Sequence, residues 1–167
     1  MITELGHFSL TLALAFALVQ SIIPIAGAHS GQARWMAMGP PLATLQFLTI
    51  AIAFAALMHA FVTSDFSLRV VVENSHTLKP MLYKVAGVWG NHEGSMLLWV
   101  LILSLFGASA AWFGGALPPR LRARALSVQA MIGVAFLTFI LFTSNPFLRL
   151  SEPPFDGRDL NPLLQDP

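Results

Sequence analysis

Gly94-Ser95-Met96-Leu97-Leu98-Trp99-Val100-Leu101-Ile102-Leu103-Ser104-Leu105-Phe106-Gly107-Ala108-Ser109-Ala110-Ala111-Trp112-Phe113 runs for twenty residues without a charged side chain. A helix needs about 20 mostly apolar residues to cross a hydrocarbon layer of roughly 30 Å. This run therefore predicts a membrane-spanning helix. Its charge-free surroundings extend over 94–119, and 5–33, 35–64 and 125–148 likewise hold no Asp, Glu, Lys or Arg. A soluble four-helix bundle would need a polar face on each helix, and these stretches lack one. The predicted fold class is an all-α integral membrane protein with four transmembrane helices and a longer loop between the second and third.

Composition agrees. Of 167 residues, 56% are hydrophobic and 10% charged, against about a quarter charged in soluble domains. The absence of cysteine excludes disulfides and thiolate metal sites. A net charge of +1 gives no footprint for nucleic acid. A cleaved signal peptide is the rival reading of the first stretch, with Ala26-Gly27-Ala28 as a faint cleavage site. The residues before it hold Glu4 and no Lys or Arg, and the apolar run exceeds a usual h-region. An uncleaved span is the better reading.

The expected spans are Leu5–Ile25, Pro41–Val62, Gly94–Phe113 and Ala125–Thr143. The expected organisation is 1–62 for helices 1 and 2, 63–93 for the loop, 94–146 for helices 3 and 4, and 147–167 for a tail leading towards further helices. Within the loop, the run Arg69-Val70-Val71-Val72-Glu73 predicts a short extended piece. Asn74–Thr77 reads as a turn, and Pro80 opens a short helix. Arg120, Arg122 and Arg124 sit between spans three and four with no acid near. The positive-inside rule makes that loop cytoplasmic. Both termini and the segment before span three then lie on the outer side of the membrane.

At the mouth of span three stands Trp89-Gly90-Asn91-His92-Glu93-Gly94-Ser95-Met96-Leu97-Leu98-Trp99. If 89–99 is helical, Trp89, His92, Glu93 and Met96 share one face, with Trp99 at its edge. Gly90 and Gly94 then form a G-x-x-x-G approach for a neighbouring helix. The first face suits a flat aromatic ligand, since tryptophan stacks and imidazole ligates iron. The plainer alternative is an interfacial tryptophan beside a capped helix start, with Glu93 favoured by the helix dipole. His59, inside span two, reads as a neutral histidine bonded to a neighbouring helix. His7, His29 and His76 have no evident partner. Gln46, Thr49, Ala53, Ala56 and Ala60 share one side of span two, as a helix–helix contact would.

These residues carry a resemblance. His59-Ala60-Phe61-Val62, Asp65-Phe66-Ser67, the 89–99 motif, Thr143-Ser144-Asn145-Pro146-Phe147 and Asp156–Pro167 resemble the amino-terminal part of CcmF, the heme lyase component of bacterial cytochrome c maturation, and the related subunits of formate-dependent nitrite reductase assembly. The resemblance implies a periplasm-facing inner-membrane protein that receives heme from a heme chaperone. It attaches heme covalently to Cys-x-x-Cys-His sequences of apocytochrome c, using the substrate's cysteines. Implied partners are membrane lipid, the chaperone, apocytochrome c, other maturation subunits and the remainder of the lyase. The implied cofactor is a b-type heme in the full-length family. Trp89, Gly90, His92, Glu93, Gly94, Ser95 and Trp99 are the residues carried over as cofactor-binding, with no metal ligand and no catalytic residue assigned. The family continues for several hundred residues, through a His-Pro-Pro segment and a tryptophan-rich heme-handling segment absent here. The chain thus reads as a fragment or one piece of a split lyase that holds no heme alone. A heme-free scaffold subunit is the alternative; a small-solute transporter ranks last, because spans 1–2 and 3–4 show no internal repeat.

Overall fold

A computed structural model describes residues 1–158. The described residues form seven α-helices: α1 Ile2–Ser30, α2 Ala33–Met36, α3 Gly39–Val62, α4 Arg69–Asn74, α5 Met81–Gly87, α6 His92–Phe113 and α7 Pro119–Phe142, with a 3-10 turn at Gly114–Ala116. α1, α3, α6 and α7 are long and apolar enough to cross a membrane. The all-α, four-span reading holds. The last nine residues of the tail lie outside the described residues, and with them the expected lead towards further helices.

The four long helices make a ring. α1 lies beside α3 and α7, and α6 closes the ring against the same two. Alternating directions put Met1, 63–91 and 143–158 at one end, here called the motif end. The connections 31–38 and 114–118 lie at the other, the arginine end.

Helix limits differ from expectation in ways that have causes. α1 runs through Pro24 to Gly31, whose φ of 74° supplies a left-handed cap. The lost Pro24 hydrogen bond is tolerable where neighbouring helices shield the backbone. α7 begins at Pro119, so Arg120, Arg122 and Arg124 lie on its first turns rather than in the preceding loop. Proline at the first helical position is preorganised for this, and arginine stems lie along a helix while their heads reach water.

Towards the motif end the core is dry: Leu10, Ile50, Leu57, Phe61, Leu97 and Leu137 are fully buried. Gln46, Thr49, Ala53, Ala56 and Ala60 are all buried too. With lipid as apolar as the core, association rests on close packing of small residues and on interhelical hydrogen bonds. Those bonds appear nearer the arginine end. Gln20 Nε2 donates to the Leu126 carbonyl at 3.0 Å, and the Ser127 hydroxyl donates to the Gln20 carbonyl at 3.0 Å. Gln129 Nε2 donates to the Leu103 carbonyl at 3.2 Å. This fixes the register of α7 against both α1 and α6. The Gln46 carboxamide is buried opposite Gly133 with neither polar atom bonded.

The expected extended piece at Arg69–Glu73 is helical instead, as α4. Strand backbone needs a partner, and this region offers one isolated bridge, Leu68 with Arg149. A helical turn satisfies its own bonds while Val70, Val71 and Val72 all stay buried. Tertiary burial overrides β-propensity here.

Loop and tail are locked together. The Arg69 N–H donates to the Leu148 carbonyl, and the Leu150 N–H to the Ser67 carbonyl, each at 3.0 Å. Arg149 reaches Thr3 Oγ1 at 2.7 Å and the Glu4 carboxylate at 2.5 Å. Asp156 accepts from the Thr77 N–H at 3.0 Å and the Thr77 hydroxyl at 2.5 Å. The Thr77 hydroxyl above all, with the neighbouring N–H groups, holds the Asp156 carboxyl below the usual carboxylate range.

Candidate functional site

The motif begins where α5 ends. The Trp89 and Gly90 N–H groups close turns onto the Ala86 carbonyl. Asn91 then adopts an extended conformation (φ −124°, ψ 168°) and caps α6. Its Oδ1 accepts from the Gly94 N–H at 2.7 Å, while its Nδ2 donates to the Gly87 carbonyl at 2.7 Å. One carboxamide therefore satisfies an orphan donor of α6 and an orphan acceptor of α5.

This geometry corrects the helical-face expectation. Trp89 and Gly90 precede α6, so Trp89 does not share a helical face with His92, Glu93 and Met96. Gly90 and Gly94 do not form a helix-approach pair. A Cβ on Gly94 would stand 1.6 Å from the Val88 carbonyl oxygen, whereas one on Gly90 would meet only its own turn. Gly94 is small because the cap folds back over it. The plainer alternative, a capped helix start, describes the local backbone.

The remaining motif side chains divide in two. Glu93 lies in the first turn of α6 and pairs with Arg69 of α4 at 3.5 Å, its side chain 17% exposed. The Ser95 hydroxyl donates to the His92 carbonyl at 3.0 Å. The Glu93 pair fastens the motif to α4, and the Ser95 bond stays within α6. Trp89, His92 and Trp99 are exposed. The His92 ring meets Phe139 of α7 edge-on, with centroids 6.1 Å apart. His92 and Trp99 lie two turns apart on one face of α6, the latter 61% exposed.

His59 is exposed on α3 and, among the described residues, bonds to no neighbouring helix. The buried face of α3 runs through Ala53, Ala56, Leu57 and Ala60, which turns His59 outwards. Two histidines expected to lack partners have them: His7 stacks on Phe147 at 6.4 Å, and His76 Nε2 lies 3.4 Å from the Asp156 carboxylate. Asn91 and Arg69 carry roles the sequence reading did not assign. The Asn91 cap has a local signal, an Asn three residues before Gly94; the Arg69–Glu93 pair has none.

The exposed His92 imidazole and Trp99 indole lie on one face of α6, and the exposed Trp89 precedes that helix. No group of three or more metal-ligating His, Cys, Asp or Glu side chains forms among the described residues. Cavities of about 380 Å³ beside His7 and about 350 Å³ at the arginine end lie away from Trp89, His92 and Trp99. Trp89, His92 and Trp99 line neither of these cavities, so these residues do not enclose a heme.

A family model described as Cytochrome C assembly protein matches residues 89–167, beginning at the first tryptophan of the motif. The cytochrome c-type biogenesis protein ccl1 of Rhodobacter capsulatus is 73% identical over 100% of this chain and 26% of its own length. CcmF of Escherichia coli is 49% identical, with 26% of that protein covered. A solved structure titled Cytochrome c Heme Lyase CcmF superposes with a TM-score of 0.84 at 30% identity, over 91% of this chain and 26% of that one. The chain thus spans about a quarter of the length of the relatives it matches.

Proposed function

We propose that this chain, which is similar to about a quarter of the length of CcmF-type cytochrome c biogenesis proteins, belongs with them and forms the amino-terminal module of a cytochrome c heme lyase. It presents a wall of the surface on which heme, b-type in the complete lyase, is received and passed to apocytochrome c. The motif end faces the periplasm, where the heme chaperone and the apocytochrome arrive. The arginine end faces the cytoplasm across the inner membrane. The rest of the lyase and the other maturation subunits complete the assembly.

The observation that supports this reading is a division of labour inside one motif. Asn91, Glu93 and Gly94 hold the backbone rigidly, while Trp89 and Trp99 are exposed and His92, also exposed, meets Phe139 with one ring edge. Large exposed rings on a fixed frame are what a docking or ligand surface needs, since little side-chain entropy is lost on contact. His92 offers a ring nitrogen, and the indoles offer flat apolar faces. When heme is bound in the complete lyase, it supplies the carbons to which the substrate's thiols add. This chain's residues orient and shield it.

A second reading, a heme-free scaffold, draws on the same structure, because Gly94, Glu93 and Ser95 each have structural partners. The two separate in cells that depend on the full-length lyase. Replacing Trp89, His92 and Trp99 together by Ala should lower covalently heme-stained cytochrome c by about tenfold or more, at unchanged lyase level in the membrane. Undiminished holocytochrome would leave the scaffold reading in possession. The isolated chain should also purify without a stoichiometric heme absorbance.

A further inference from the structure

The arginine end has a second feature that the heme-facing reading leaves unused. Arg34, Arg120, Arg122 and Arg124 gather there with no acidic residue. Three of them occupy the first turns of α7, where the helix dipole is positive and cations are disfavoured. Positive charge placed against the dipole makes this end a concentrated anion-attracting region. Topology signalling explains exposed arginines such as Arg120 and Arg124. It does not explain Arg122.

Arg122 is half-buried. One of its NH2 groups donates to the Ala111 carbonyl near the end of α6. Its Nε is shut off from solvent and has no acceptor. Beside it lies a cavity of about 350 Å³, with Arg122 the charged residue of its lining. The other walls are apolar and include Met36 and Ala37 near α2, Leu117, and Ala123 of α7. The cavity is within the size range of small-ligand pockets. A basic pocket between membrane helices at the headgroup level is a setting for anionic lipid.

We propose that this groove holds an anionic phospholipid of the surrounding bilayer. The phosphate sits against Arg122, and part of an acyl chain lies along Met36, Ala37, Leu117 and Ala123. Charge complementarity selects the headgroup, and the apolar walls distinguish a lipid from free phosphate. The bound lipid would join α2, the start of α7 and the turn after α6, which few direct contacts otherwise connect.

The test uses the full chain reconstituted in vesicles of phosphatidylcholine and phosphatidylglycerol, released into mild detergent and weighed by native mass spectrometry. The intact protein should retain one phosphatidylglycerol, favoured over phosphatidylcholine by about tenfold. Arg122→Gln should abolish that preference, and Arg124→Gln should keep it. Ala37→Phe, which fills the groove and leaves every arginine in place, should expel the lipid; circular dichroism verifies the fold of each variant. Equal retention of the two lipids would overturn the proposal. So would an Arg122→Gln protein that binds like the parent, or displacement of the lipid by a millimolar excess of inorganic phosphate.

Discussion

The two ends of the bundle solve the same problem, joining membrane helices outside the hydrocarbon, by opposite means. At the motif end, a long segment interlocks with the tail through Leu68 with Arg149 and Thr77 with Asp156, and with α6 through Arg69 with Glu93. At the arginine end, short turns suffice, Gly115 has open space around it, and like charges stand together. One end is over-determined by contacts that fix where side chains point. The other joins its helices by short turns and relies on bonds within the bundle, from Gln20 to α7, from Gln129 to α6 and from Trp112 to Thr44 of α3. A motif that must present rings in a set direction belongs on the first kind of end.

The same substitution at each end breaks or sharpens this contrast. Gly94→Ala forces a methyl group into the Val88 carbonyl and should cost about 3 kcal/mol or more. Denaturing-detergent titration of the purified chain would show it as an earlier unfolding midpoint. Gly115→Ala meets nothing within 4 Å, and its φ is not positive. It should be neutral or stabilise by about 0.5 kcal/mol, by restricting the unfolded chain. Equal losses at the two positions would remove the distinction between the ends.

The smallest effect is a titration. The Asp156 carboxyl lies below its ordinary value because the ionised form accepts the Thr77 bonds. A depressed carboxyl contributes stability above its unfolded value that is lost as pH falls through the folded one. The loop–tail lock should therefore hold at neutral pH and release only below about pH 4. Protection of the Thr77 amide, corrected for intrinsic exchange, should fall in that window. In Asp156→Asn it should be lower throughout and flat with pH. A Thr77 amide as well protected in Asp156→Asn as in the parent at neutral pH would show that Asp156 does not carry the lock.

What was legible in the candidate site follows the range of the interaction. Glu93 near a helix start and Asn91 three residues before Gly94 are local signals, and the capped start they imply is what the fold contains. Trp89 was misplaced because periodicity assumes an unbroken helix. The break at Asn91 depends on the Gly87 carbonyl arriving from α5. His76 and Asp156 stand on segments that only meet when the tail folds back, so no spacing rule joins them. Arg69–Glu73 misled for the same reason. Three valines favour a strand until the neighbouring strand is found to be a single bridge.

The amino-acid sequence alone determined the four spans, because transfer of a charge-free stretch into lipid is a sum over its own residues and needs no knowledge of neighbours. The tertiary structure decided which motif residues are frame and which are free, where α7 begins to carry its arginines, and that Gln20 and Gln129 set helix register while Gln46 stays unpaired. Those outcomes depend on which backbone carbonyls and rings arrive from distant parts of the chain, and that is fixed only when the helices pack.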